Sequence, residues 1–206
     1  MVCLAGHGCI LAQVSENNAD GWSPSGNGSN LTLYSRPHAG SALKEFKAVG
    51  GIDAPTLMVH RVLDDIDSYP SFMPYMAECH IIKRDGDNNI FTYQRLAPRI
   101  VSQRDYALRV EQKSWPSGPC LAYLHRWQTA NDVAPPPQKG VLRVSVSDGS
   151  WLLEPDGPDK TRATYSIFSD TGGALPAFIA NGAAALGIKK VFAAVRKQVQ
   201  DPKYHR

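Results

Sequence analysis

The run Thr161-Arg162-Ala163-Thr164-Tyr165-Ser166-Ile167-Phe168-Ser169-Asp170 has the alternation of a strand, and Thr171-Gly172-Gly173 then turns the chain into one long helix over residues 176–200. Pro176 suits the first helical turn, where its missing N–H has no partner anyway. Lys189, Lys190, Arg196 and Lys197 complement the negative end of the helix dipole. Leu175, Phe178, Ile179, Ile188, Phe192, Val195 and Val199 recur at close to three-and-four spacing, which predicts a buried stripe. Between the bulky ends lies Asn181-Gly182-Ala183-Ala184-Ala185-Leu186-Gly187. Side chains this small do not fill the roughly 10 Å between a helix and a sheet, so either large sheet residues fill it or a ligand does.

Working outward, Leu43-Lys44-Glu45-Phe46-Lys47-Ala48-Val49 alternates as a half-solvated strand, and Ile52-Asp53-Ala54-Pro55 leads into a helix over residues 55–65, followed by a short one over 66–72. Strands are expected over residues 77–84, 90–96, 104–113, 121–129, 141–146, 150–154 and 161–169, with short links that favour antiparallel pairing. Residues 15–30, rich in Asn, Ser and Gly, read as a linker or exposed loop, and residues 31–35 as a short strand. One strand, two small helices, a meander and a final helix make an α+β class; without strand–helix alternation, a doubly wound parallel sheet is excluded.

The 206 residues suffice for one domain with a sizeable core, and 43% hydrophobic with 20% charged residues is ordinary globular composition. The net charge of +3 comes from 22 basic and 19 acidic residues that are interspersed, with no basic block of the kind that tracks a phosphate backbone, so nucleic acid is not an expected partner. Cys79 and Cys120 lack CxxC spacing; free thiols are the expectation, a disulfide between them the alternative. Residues 1–12 are apolar but lack a basic n-region. They read either as a truncated export signal, which would make the protein periplasmic, or as a loose tail of a cytoplasmic one. No other stretch is expected to be long enough to cross a bilayer.

Nothing in the sequence announces catalysis. His7, His38, His60, His80, His125 and His205 are scattered without HxxxH or HExxH spacing, and Asp64, Asp65 and Asp67 have no accompanying ligand-loop glycine. No cofactor or metal is expected. On residues 121–129, Leu121, Tyr123, His125 and Trp127 share one face, expected to be inward; Ala163, Tyr165 and Ile167 alternate likewise, with Trp151 on the strand before them. By themselves these read as plain core residues.

Six stretches in this order resemble the START family of lipid-transfer domains: Leu43 to Val49 with Ile52-Asp53-Ala54-Pro55; Tyr69-Pro70 with Met73-Pro74-Tyr75; Ser102-Gln103-Arg104-Asp105-Tyr106; Gly140-Val141-Leu142-Arg143-Val144; Gly149-Ser150-Trp151-Leu152-Leu153-Glu154-Pro155; and Gly172 to Asn181. The likeness is strongest to the stand-alone bacterial members. It implies a helix-grip fold, a curved antiparallel sheet around the C-terminal helix, over residues 21–201, with residues 1–20 an extension or signal remnant and 202–206 a tail. It further implies an apolar tunnel gated by that helix and by Asn131-Asp132-Val133-Ala134-Pro135-Pro136-Pro137-Gln138. The ligand-lining set expected on this basis is Tyr93, Leu121, Tyr123, His125, Trp127, Arg143, Trp151, Tyr165, Ile167, Phe178, Asn181, Ala185 and Phe192. Arg143 reads equally as a head-group partner or a surface residue, and Arg104 with Asp105 as a structural ion pair or loop anchor. The buried acidic–basic pair of some sterol-binding members would fall at Gln94 or Arg95 and near Val110, where this chain does not carry it, so the resemblance brings no sterol preference. The implied function is a non-catalytic carrier of a hydrophobic lipid-like ligand that touches membranes transiently. A polyketide cyclase or aromatase on the same fold, with Tyr123, His125 or Tyr165 polarising a carbonyl, and a ligand sensor are the alternatives.

Overall fold

The structure, a computed structural model, describes residues 20–205 apart from residues 29, 100 and 174. The expected extension, with Cys3, His7 and Cys9, falls outside the described residues apart from Asp20. Ten strands are seen: β1 (Ser23–Gly28), β2 (Leu31–Pro37), β3 (Lys44–Ile52), β4 (Met76–Arg84), β5 (Asn89–Leu96), β6 (Gln103–Ser117), β7 (Cys120–Thr129), β8 (Val141–Arg143), β9 (Val146–Pro155) and β10 (Thr161–Asp170). The helices are α1 (Thr56–Asp64), α2 (Tyr69–Phe72) and α3 (Ala177–Gln198). The strands form one sheet in the order β1-β2-β3-β10-β9-β7-β6-β5-β4, antiparallel throughout except that the short β8 pairs in parallel with β6. This is the α+β helix-grip architecture expected from the sequence.

Three local expectations change. Ser23–Gly28, expected as loop, is a strand: its ladder with β2 is a backbone affair, and its exposed side chains give no apolar alternation to read. Of the expected tail, residues 202–205 dock on the domain, since Pro202–Tyr204 makes a 3-10 turn that buries Tyr204, with Lys203 bridging to Asp65 at 2.8 Å. And α3 is, by length and composition, apolar enough to cross a bilayer, although little of it is buried. Cys79 and Cys120 are free thiols, and burial pushes the Cys79 thiol up to about 12.

The sheet's inward face follows strand alternation across six strands. Leu33, Ala48, Tyr165, Trp151, His125 and Gln112 lie opposite one another from β2 through β3, β10, β9 and β7 to β6. α1 packs on one end of this face through Val59, Val62 and Leu63, the i, i+3, i+4 side of its short helix, while Thr56 Oγ1 donates to the Leu121 carbonyl at 2.8 Å. The C-terminal half of α3 buries Ile188, Phe192 and Val195 against the same face.

Candidate ligand-binding site

The inward stripe of α3 runs Ala177, Asn181, Ala184, Ile188, Phe192, Val195, Val199, at spacings of three and four. From Ile188 onward every member is buried, whereas Ala184, on the same side of the helix, is exposed. The N-terminal half of the helix therefore spans open space on small side chains. Phe178 and Ile179, expected in this stripe, stand outside it: Phe178 is 76% exposed and Ile179 45%. Hydropathy drew the stripe toward the bulky residues, while the residues that face inward are alanines and Asn181. Asn181 itself latches the helix to the edge of β3, accepting from the Lys44 N–H at 2.9 Å and donating to the Ala42 carbonyl at 3.3 Å. Further along, Lys190 bonds the Tyr75 hydroxyl, and Arg196 donates to the Gly51 carbonyl at 2.9 Å.

Beneath the helix the buried apolar residues fall into two clusters. One joins α1, the C-terminal half of α3 and β2, β3, β7, β9 and β10; the other gathers Ile66, Cys79, Ile90, Tyr106, Leu108, Val110 and Val144. Trp127 touches both and is itself only partly buried, so the interior is divided at this ring. Its indole lies flat over Gly149, where a β-carbon would stand 2.5 Å from the ring and 2.3 Å from the Ser166 carbonyl oxygen, so only glycine admits it. Tyr165 continues the aromatic floor 5.6 Å from Trp127, and Trp151 follows 4.7 Å from Tyr165 and 4.9 Å from Phe192.

Polar side chains stand among these buried residues. The hydroxyls of Tyr106 and Tyr165 have no hydrogen-bond partner among the described residues, and Gln94 has only a 3.5 Å contact to Thr92 Oγ1. Neither tyrosine hydroxyl is sealed: each still touches room for a water-sized group. Burial pushes the pKa of both tyrosines well above the usual phenol range, so they stay neutral donors. An internal surface of aromatic rings with unclaimed hydroxyls can hold an apolar body and hydrogen-bond a polar end.

The predicted site residues thus divide. Tyr123, His125, Trp127, Trp151, Tyr165, Ile167, Ala185 and Phe192 share the inward face or the inner side of α3. Leu121 lies on the same side of β7 but is 42% exposed at its start. His125 is deep but occupied: its Nε2 is 2.9 Å from His60 Nδ1, and the His60 ring stacks on Tyr123 at 4.2 Å. Tyr93 and Arg143 stand on the opposite face. Arg143 grips Asp105 with two bonds of 2.7 and 3.0 Å and donates to the Pro135 carbonyl at 2.8 Å, while the Tyr93 hydroxyl donates to the same carboxylate at 3.0 Å. Of the two readings of Arg104 with Asp105, the ion pair between them does not form, because neighbours on a strand point to opposite faces, whereas Asp105 does anchor the loop, through Arg143. The proline segment is thereby anchored, and Asn131 fixes its start by accepting from the Ala107 N–H and donating to the Val144 carbonyl. Sequence reasoning missed Tyr106 and Gln94 as inward polar residues; the alternation on β5 and β6 carried the signal.

Two surface grooves, of about 180 Å³ around Arg109 and Arg126 and about 640 Å³ around Tyr34 and Arg162, lie on the sheet's outer face and are not part of this interior.

Grip, divided core and spanning helix together define a helix-grip domain. Within that class its fold is that of the START domains. No family model matches it, but it is 26% identical over 164 residues to an uncharacterized protein of Pseudomonas aeruginosa, covering 79% of each chain. It is 25% identical over 181 residues to mouse phosphatidylcholine transfer protein, covering 86% of this chain and 82% of that one. Among solved structures, a STAR-related lipid transfer protein from Xanthomonas axonopodis superposes with a TM-score of 0.78 at 28% identity, over 88% of this chain and 100% of that one. The Zhui aromatase/cyclase from Streptomyces shares the fold more distantly, with a TM-score of 0.56 at 13% identity over 76% of this chain and 93% of that one.

Proposed function

We propose that this protein binds a hydrophobic, lipid-like ligand between the sheet and the N-terminal half of α3 and carries it between membranes without chemical change. The observation that carries this reading is the inward, partnerless yet unsealed hydroxyls of Tyr106 and Tyr165 beneath an alanine-faced helix. Each methylene shielded there contributes about 0.8 kcal/mol, so an acyl chain supplies its own driving force and no catalytic group is needed. The lipid-transfer relatives named above support the same reading.

The outer face of α3 suits a membrane encounter. Phe178, Ile179 and Leu186 are exposed, and Lys189 and Lys197 follow on the same side, the apolar-then-basic pattern of a helix that rests in a lipid interface. The cyclase alternative meets an obstacle in His125, whose burial beside His60 drives its proton affinity down to about 3, and whose Nε2 is already bonded. Such a ring is a poor acid or base for a bound carbonyl near neutral pH. Transfer of a fluorescent phospholipid from donor to acceptor vesicles tests the proposal. A rate that rises in proportion to protein concentration is expected; ligand retention without exchange would favour a sensor instead.

A further inference from the structure

Arg104 is only 5% exposed. It lies on the inward face of β6 together with Tyr106 and Leu108, opposite Leu96 on β5 and Leu142 on β8. Of its five N–H donors, the one hydrogen bond seen among the described residues is from Nη1 to the Ser102 carbonyl at 2.6 Å, and no carboxylate pairs with it. Asp105, adjacent in the chain, is turned away and held by Arg143 and Tyr93. The Nη2 end lies beneath the lead-in to α3, 3.8 Å from where a β-carbon on Gly173 would stand. A guanidinium does not shed its proton, and a buried cation without a counter-ion is strongly unfavourable. Its remaining donors, like the hydroxyls of Tyr106 and Tyr165, are not sealed off: each keeps room for a water-sized group.

We propose that Arg104 is the counter-ion for an oxyanion on the bound lipid, so that the ligand is an acyl lipid bearing a phosphodiester or a carboxylate, seated at the α3 end of the cavity with its chain running inward toward Trp127. This rests on the carrier reading and narrows it to one ligand chemistry. The fork of a guanidinium suits either oxyanion, and a ligand bound this way turns an unpaired charge into a paired one as the cavity fills.

The test equilibrates the full chain with vesicles containing phosphatidylcholine, oleate or diolein, and reads the bound lipid by native mass spectrometry, for the wild type, Arg104→Gln and Arg104→Lys. The expected result is that wild type takes up phosphatidylcholine or oleate, the two arms separating phosphate from carboxylate, and that Arg104→Gln loses that uptake by about tenfold or more while its diolein uptake is unchanged. Arg104→Lys restores part of it. Because Arg104→Gln leaves no charge unpaired and only the Ser102 carbonyl without its donor, thermal unfolding of the lipid-free variant is expected close to the wild-type temperature; a large drop would mark a merely structural arginine and overturn the proposal. Equal lipid selectivity in wild type and Arg104→Gln would overturn it too, as would a wild type that takes diolein alone. A wild type that takes up no lipid of any kind removes the carrier reading itself, and this inference with it.

Discussion

His60 Nδ1 lies 2.9 Å from His125 Nε2, a bond that ties α1 to the middle of the sheet and requires at least one of the two facing nitrogens to be unprotonated. Gln112 extends the chain, contacting His125 Nδ1 at 3.5 Å and donating to Asp64 at 2.7 Å. Burial depresses the proton affinity of both rings, that of His125 to about 3, with the His60 charge adding to the effect and Asp64 opposing it.

The pH dependence follows from that direction. An unfolded histidine titrates near about 6.5, so below this value the unfolded chain binds more protons than the folded one, and stability rises with pH. The contribution is complete above about pH 6.5 and is lost as the pH falls toward the folded values. Urea unfolding at pH 7.5 and pH 5 should show a lower midpoint at pH 5, and His125→Leu should shrink the difference. Equal midpoints for the wild type would contradict the buried neutral pair.

The Asp105–Arg143 pair carries a second prediction. Arg143→Met leaves a nearly fully buried carboxylate without its bidentate partner, and a destabilisation of about 3–5 kcal/mol is expected. Tyr93→Phe removes one bond to the same charge and should cost about 1.5–3 kcal/mol. If the two substitutions act through one network, the double variant will lose less than the sum. Additivity in denaturant melts would show that they do not share Asp105.

Space beneath α3 is testable by filling it. Ala184→Phe places a ring on the inward stripe where the wild type has room, so stability should change by less than about 1 kcal/mol while lipid uptake falls sharply. In a solidly packed interior the same change would cost about 1–3 kcal/mol through overpacking.

Membrane approach depends on the outer face of α3. Phe178→Asp with Leu186→Asp should slow vesicle transfer at least several-fold and leave thermal stability nearly unchanged, because both side chains are exposed. An unchanged transfer rate would move the membrane contact to another surface.

Much of this was legible in the sequence because strand alternation is a strong local signal. The inward placement of Tyr123, His125, Trp127 and Tyr165 required only parity, and the long helix only its apolar spacing and basic last turns. What failed had no local signature. Ser23–Gly28 pairs through its backbone with side chains exposed, and the inward alanines of α3 are silent in hydropathy while the exposed Phe178 is loud. The Asp105–Arg143 pair depends on β8 pairing in parallel with β6 across 38 residues, which nothing near either residue foretells. The isolation of Arg104 follows from the same pairing, since its neighbour's charge is spent on the other face.

The most direct test of a ligand-filled interior is native mass spectrometry of the full chain after gentle purification, repeated after incubation with phospholipid vesicles. A bound hydrophobic molecule is expected in about one-to-one ratio, exchanged for vesicle lipid in the second measurement. A protein that comes out bare and stays bare after incubation would contradict it.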